Sequence, residues 1–314
     1  MIARLARRAA ALARIRAFFA ERGVLEVQTG LLVRRAITDP NIESIAVPAG
    51  AGEPRHLHTS PEHAMKRLLA AGSGDIYQIC PVFRAGERSA LHAPEFTLVE
   101  WYRLGFDLPA LMRETAALAA VLLESLPAAT VEPELLSYEE AFRRELGIAV
   151  FDCGDAALAG AARAAGLADS SIARASRDEL LDFLVATRVG PALGAGRLTC
   201  LHHYPASQAA LARLDADDPR AALRFELYCE GIELANGFVE LGDAREQARR
   251  FAADNALRAA RGQATHVPDE RLLAALDKGL PECAGVALGL DRLLMLASGS
   301  SRIDAVLALP YDEA

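Results

Sequence analysis

Leu5, Leu12, Ile15, Phe18 and Phe19 recur at helical spacing along an opening rich in Ala, Leu and Arg. This spacing predicts an amphipathic helix over 3–22, with Gly23 as its stop. Val24–Val27 then reads as a strand, and residues 37–58, with Pro40, Pro48 and Pro54, read as short strands and loops. Ser60 is expected to cap a helix, with Pro61 in its first turn and Glu62 and His63 beginning it. Ile76–Cys80 reads as a strand leading into a strand–loop–strand unit over Val82–Arg103. Its polar loop carries Arg84, Glu87, Arg88 and His92, and its second strand, Phe96–Tyr102, is rich in β-formers. Residues 107–126 are predicted to form an amphipathic helix, and 137–146 and 178–189 are also helical, while 154–168 and 190–196 are rich in Ala and Gly. Further on, Arg224–Leu234 is strand-like, Ala235-Asn236-Gly237 is expected to turn, and Phe238–Leu241 returns. Residues 245–261 form a charged helix, and Leu272–Lys278 another that Gly279 ends.

Composition narrows the class. At 314 residues the chain has room for one large domain or two small ones. Its apolar content of 52% and charged content of 24% are those of a soluble globular protein, and no apolar run is long enough to span a bilayer. A net charge of −8 argues against a broad nucleic-acid-binding face. The cysteines, Cys80, Cys153, Cys200, Cys229 and Cys283, are odd in number and form no Cys-x-x-Cys pair, which fits a reducing cytoplasm rather than a disulfide framework or zinc knuckle. Arg4, Arg7, Arg8, Arg14 and Arg16 lie near the start without an acid among them, as in an organelle presequence, but the pattern runs unbroken into the first predicted helix. His202 and His203 invite a metal reading; on a regular strand they would point to opposite faces and rarely share one ion.

Three groups of side chains carry candidate chemistry. Arg84, at a strand end, can fork onto a pair of carboxylate or phosphate oxygens. Glu226, Glu233 and Glu240 are evenly spaced among apolar residues. Carboxylates so placed can hold Mg²⁺ between triphosphate oxygens or pair with a substrate ammonium. Gly285 and Gly289 allow a ligand to approach the backbone, and Arg292, near a helix start, can offset charge on a departing pyrophosphate.

The order of these residues is specific. Phe83-Arg84, then His92-Ala93-Pro94-Glu95-Phe96, then Glu100-Trp101-Tyr102 resembles motif two of the class II aminoacyl-tRNA synthetases. Arg22–Leu32 resembles motif one, the helix and strand of their dimer interface, and Gly285–Met295 resembles motif three. Glu233-Leu234-Ala235-Asn236-Gly237-Phe238-Val239-Glu240-Leu241 is similar to the pattern of the lysine branch, and Pro94–Arg103 resembles the elongation factor P–lysine ligases, paralogues of lysyl-tRNA synthetase. The Tyr204-Pro205-Ala206-Ser207-Gln208 run recurs in that family as well.

The resemblance implies an α+β fold: a class II synthetase catalytic core with an antiparallel sheet flanked by helices, one domain over 1–314. Only about twenty residues precede motif one, too few for the anticodon-binding barrel of lysyl-tRNA synthetases, so no tRNA anticodon reading is expected. The implied cofactors are ATP and Mg²⁺, the implied substrate lysine or β-lysine, and the implied acceptor a lysine of elongation factor P, in a cytoplasmic homodimer. Arg84 and Arg292 would be catalytic. Ser60, Pro61, Glu62, Tyr102, Glu240 and Ala287 would bind the amino acid, Glu240 taking its side-chain ammonium. ATP would meet Arg84, Ala85, Gly86, Ala93, Phe96, Glu233, Leu234, Gly289 and Arg292, with Phe96 stacking on adenine and Glu226 and Glu233 on the metal. Ala287, where lysyl-tRNA synthetases have glycine, would disfavour α-lysine and suit β-lysine. The chain departs from the family at Gly30, where proline is usual, at Ala85-Gly86, where Asn-Glu is usual, and at Ala93, where Asn is usual. Glu87 is one residue away from replacing the lost acid. Two rival readings stay open: a small amino-acid ligase of the asparagine-synthetase type, and a synthetase-like binding or regulatory protein.

Overall fold

A computed structural model of the chain describes residues 2–50, 52–123 and 132–313. The chain enters through α1 (Ile2–Ala20) and passes along β1 (Leu25–Glu26), β2 (Leu32–Val33), β3 (Ala46–Val47), β4 (Arg55–Leu57), α2 (Glu62–Ala70), β5 (Ile76–Phe83) and β6 (Glu95–Leu104). Next come α3 (Leu108–Leu122), β7 (Glu134–Ser137), α4 (Tyr138–Leu146), α5 (Asp155–Ala164), α6 (Asp169–Ile172) and α7 (Arg177–Leu184), followed by β8 (Thr199–Pro205), β9 (Ala221–Cys229) and β10 (Ile232–Val239). The last elements are α8 (Ala244–Ala260), α9 (Glu270–Lys278), β11 (Cys283–Gly289) and α10 (Leu290–Ala297). The described residues gather into two compact units: 2–107, 121–123 and 240–313 in the first, 108–120 and 132–239 in the second.

The first unit is built on strands in the order β1-β5-β6-β11, antiparallel except for the short parallel β1–β5 pair. Alternation along β6 sorts its side chains. Thr97, Val99 and Trp101 point one way, and Phe19 of α1 covers that face, stacked 4.3 Å from Tyr77 and edge-on 5.4 Å from Trp101. Phe96, Leu98, Glu100 and Tyr102 point the other way. The register sets Tyr102 opposite Ile76 and Gly285, and Glu100 opposite Gln78 and Ala287. This second face forms the candidate site. A three-stranded sheet, β2-β4-β3, lies in the same unit and leads directly into α2.

The second unit pairs β10-β9-β8 antiparallel and adds β7 parallel to β8. Tyr138 and Phe142 of α4, Leu158 of α5 and Leu180, Leu181 and Leu184 of α7 pack into one buried cluster with Leu201 and Tyr204. Helices α4 and α7 both open with a capping box, Ser137 with Glu140 and Ser176 with Glu179, which satisfies end donors that would otherwise lack partners.

Several expectations change. The β9–β10 turn falls at Glu230-Gly231, not at Asn236-Gly237. Both turn residues take positive φ, 50° and 73°, as a tight two-residue hairpin requires, while Asn236 stays in the ladder opposite Glu226. His202 and His203 do not face apart: His203 takes a φ of 59° at a bulge in β8, and the two rings come within 4.7 Å. Ser60 lies one residue before the cap position, which Pro61 fills, although its Oγ still accepts from the Glu62 amide at 3.0 Å. Residues 155–164, read only as Ala/Gly-rich, are helical because alanine is the strongest helix former. On α1, Ile15, Phe18 and Phe19 are buried as expected, but Leu5 is exposed. The end of the helix expected over 107–126 lies outside the described residues.

Candidate active site

The turn before α2 and the strands β6 and β11 bring a cluster of buried charges together. Ser60 Oγ donates to Glu100 Oε2 at 2.7 Å, and the Tyr102 hydroxyl donates to Glu100 Oε1 at 2.8 Å. Lys66, one turn along α2 from Glu62, places Nζ 2.6 Å from Glu62 Oε1 and 2.5 Å from Glu240 Oε2. Glu240 Oε1 has no donor among the described residues although it is buried. Gly285 sits against Tyr102 and Glu240: an added Cβ would lie 2.3 Å from the Tyr102 ring and 2.5 Å from Glu240 Oε1, so only glycine fits. Two residues on along β11, Ala287 is half-buried and packs with Cys80, Val82 and Leu98.

Burial controls the charge of this cluster. It raises the Glu100 carboxyl to about 7, with Glu62 pushing the same way, and raises Glu240 to about 8 against the pull of Lys66. For Lys66, burial works against the ammonium, but Glu240 and Glu62 outweigh it and its pKa rises. Tyr102 is pushed well up by burial and by Glu100, so its hydroxyl keeps its proton. Three carboxylates and one ammonium leave two negative charges when all are ionised. Such a cluster suits a small ligand with two ammonium groups.

A second group in the same unit gathers around the motif-two loop. Arg84 Nε is buried without a partner, its Nη1 lies 3.6 Å from Glu87 Oε1, and its guanidinium carbon lies 5.1 Å from the centre of the Phe96 ring. Glu87, one residue after the position where the family carries an acid, is engaged by Arg84. Gly86 takes a φ of 78° at the loop turn, the Ala85 amide donates to the Glu43 carbonyl, and Ala93 is buried. Arg292, in the first turn of α10 after Gly289, donates to the Leu91 carbonyl and lies 2.5 Å from His92 Nε2. A guanidinium has only donors, so His92 Nε2 is the acceptor and Nδ1 carries the proton toward Ser89 Oγ, 2.8 Å away. Burial and then Arg292 hold His92 below its ordinary pKa, which keeps this tautomer neutral.

The second unit holds the other two predicted acids. Glu226 accepts from Arg224 at 2.6 Å and from the Tyr228 hydroxyl at 2.7 Å. Burial raises its pKa, and the charge of Glu233 adds to the rise. Like-charge crowding of this kind is relieved by a cation. No group of three or more possible metal ligands is found among the described residues, so a metal here would rest on these two carboxylates and on ligands it brings itself. Leu234 is buried beside Glu233 in β10.

Glu100 and Lys66 were not singled out from sequence as site residues. The Glu100-x-Tyr102 alternation on a strand of β-formers, and Lys66 four residues after Glu62, were the signals that could have found them.

Residues 1–313 match the family described as tRNA synthetases class II (D, K and N), and the chain belongs to that family. Among curated relatives, it is 46% identical over 318 residues to the elongation factor P–(R)-β-lysine ligase of Vibrio cholerae serotype O1, a match that covers all of this chain and 97% of the relative. The proteins of that name from Salmonella paratyphi B and Pectobacterium atrosepticum are 46% and 45% identical, each match covering all of this chain and 96% of the relative.

Proposed function

We propose that the chain activates (R)-β-lysine, with ordinary lysine as a poorer substrate, and transfers it to a lysine side chain of elongation factor P. One observation carries the substrate class: the set of Glu62, Glu100, Glu240 and Lys66 carries two unbalanced negative charges once its carboxyls ionise, a state that bound ammonium groups favour, and holds a Glu240 oxygen without a donor. A diamino acid supplies two ammonium groups, whereas aspartate or asparagine would leave buried carboxylates unpaired. The relatives' names give the β-amino form and the acceptor.

In the first step a substrate carboxylate oxygen attacks the α-phosphorus of ATP, and pyrophosphate leaves. Glu240 and Glu100 fix the side-chain ammonium, the Ser60–Glu62 turn holds the other amino group, and Arg84 aligns the reacting carboxylate with the phosphate. Arg292, held by Leu91 and His92, offsets charge on the departing pyrophosphate, and Phe96 offers its ring to adenine. Glu226 and Glu233 would hold Mg²⁺, which neutralises triphosphate charge when bound. In the second step the neutral acceptor amine attacks the acyl carbonyl. The amide bond forms, AMP leaves with the bonding electrons, and the amine gives up a proton. The free thiols of all five cysteines fit a cytoplasmic setting.

ATP–pyrophosphate exchange with β-lysine, lysine, aspartate and asparagine, followed by mass analysis of elongation factor P, tests this reading. Exchange is expected with β-lysine above lysine and none with the acidic or amide substrates, together with a mass gain of one β-lysyl group on the acceptor. Exchange with aspartate alone would transfer the chain to the asparagine-synthetase type. Absence of exchange with every amino acid would leave a binding protein.

A further inference from the structure

The Ser60–Glu62 turn borders a cavity of about 240 Å³ within the first unit, separate from Arg84 and Arg292. Five guanidinium side chains line it: Arg34 and Arg35, Arg55 of β4, Arg67 of α2 and Arg271 of α9. The carboxylates on its wall, Glu62 and Asp269, are both occupied. Glu62 pairs with Lys66, while Asp269 caps α9 through the amides of Arg271 and Leu272 and lies 3.4 Å from His63 Nδ1. Arg35 reaches only the exposed Glu53, at 3.7 Å. Arg34, Arg55, Arg67 and Arg271 have no acidic partner among the described residues.

That arrangement runs against the rest of the chain, which has 42 acidic residues to 34 basic ones. Other exposed arginines are scattered, some paired, as Arg143 is with Glu139, Arg163 with Asp169 and Arg220 with Asp152 and Asp218; here five share the wall of one hollow. Arginine forks without carboxylates, set around a hollow, form a receptor for carboxylates.

We propose that this arginine-lined cavity docks a carboxylate-rich segment of the acceptor protein beside the activated acyl group. The inference rests on the transfer reaction above, and continuity with the Ser60–Glu62 turn favours the acceptor as the occupant. A chain of net charge −8 repels an acidic partner at long range, so a local basic hollow fixes where that partner can approach.

The test compares wild type with Arg34→Glu/Arg271→Glu and the milder Arg34→Gln/Arg271→Gln in three measurements. These are β-lysine-dependent pyrophosphate exchange, the KM for elongation factor P at increasing NaCl, and anisotropy of a fluorescein-labelled hexaglutamate peptide. Exchange should be unchanged. The acceptor KM should rise about tenfold for the Glu pair and about threefold for the Gln pair, with a flatter salt dependence. Hexaglutamate binding should be lost in the Glu pair. Intact exchange with an unchanged acceptor KM overturns the proposal, as does hexaglutamate binding that the substitutions do not weaken. A wild type without exchange would remove the ligase reading, while hexaglutamate binding would still decide what the cavity takes.

Discussion

Ala287 and Glu100 face each other across adjacent strands, so the side chain at 287 limits the space beside the carboxylate proposed to receive the substrate ammonium. The Ala287 methyl also packs on Cys80, Val82 and Leu98, so its removal opens space rather than shifting the strand. Ala287→Gly should therefore raise lysine activation relative to β-lysine. One methyl supplies discrimination of only about 1–3 kcal/mol, roughly ten- to two-hundredfold in kcat/KM. Exchange rates with the two substrates measure the ratio, and an unchanged ratio would assign the preference elsewhere. The carboxyls give a pH signature. Folding raises Glu100 to about 7 and Glu240 to about 8 from an ordinary value of 4.5. The folded state therefore binds more protons than the unfolded state between those values, and stability contributed by these groups falls as pH rises through that window. Cation binding runs the opposite way because it needs the ionised form. The KM for β-lysine should fall as pH rises from 6 to 8, and Glu100→Gln should remove the lower part of that fall. A flat KM over this range would show that the buried acids do not receive the substrate.

At the scale of elements, α1, β6 and α10 are tied by one charge network next to Arg292, the residue proposed to meet the nucleotide. Arg8 of α1 lies 2.5 Å from Asp291 Oδ1 and donates to Thr97 Oγ1, while the Thr97 amide donates to Asp291 Oδ2. Asp291 is buried and adjoins Arg292, whereas Arg8 is partly exposed. Arg8→Met should cost about 1–2 kcal/mol, less than a fully buried pair because water screens the exposed side. It should lower exchange kcat and raise the KM for ATP while leaving the β-lysine KM within about twofold. Urea unfolding and exchange kinetics check both, and a changed lysine KM with normal ATP parameters would contradict the assignment. This network was not legible in the sequence, since Arg8 and Asp291 are 283 residues apart. Arg84, Tyr102, Glu240 and Arg292 were legible because their order along the chain is specific to a family. The β9–β10 turn was misread because Asn236-Gly237 and Glu230-Gly231 both permit positive φ, and only pairing with β9 chooses between them. The His202–His203 approach escaped because a bulge breaks the strand alternation that the sequence argument assumed.

For the whole molecule, the first thirty-odd residues leave apolar surface that the chain does not cover. Ile2 and Leu5 of α1, Leu25 of β1 and Leu32 of β2 are exposed, four of ten large apolar side chains so exposed among the described residues. Leu25 and Leu32 belong to the segment that resembles motif one, Ile2 and Leu5 to the helix that leads into it, and an isologous contact between two copies would bury each of them twice over, once per protomer. At about 25 cal/mol per Å² of apolar surface, each Leu removed from water contributes on the order of 1–2 kcal/mol per protomer, opposed by the entropy of association. Gly30, in place of the usual proline, sits in open space and constrains this segment less, so the apolar side chains rather than backbone rigidity would hold such a contact. The wild-type chain should sediment as a dimer at micromolar concentration, and Leu25→Glu/Leu32→Glu should shift it to monomer by placing two like charges on each side of the contact. Circular dichroism guards against simple unfolding. A wild type that sediments as a monomer, or a folded double variant that stays dimeric, would show that this apolar surface is not what joins two copies.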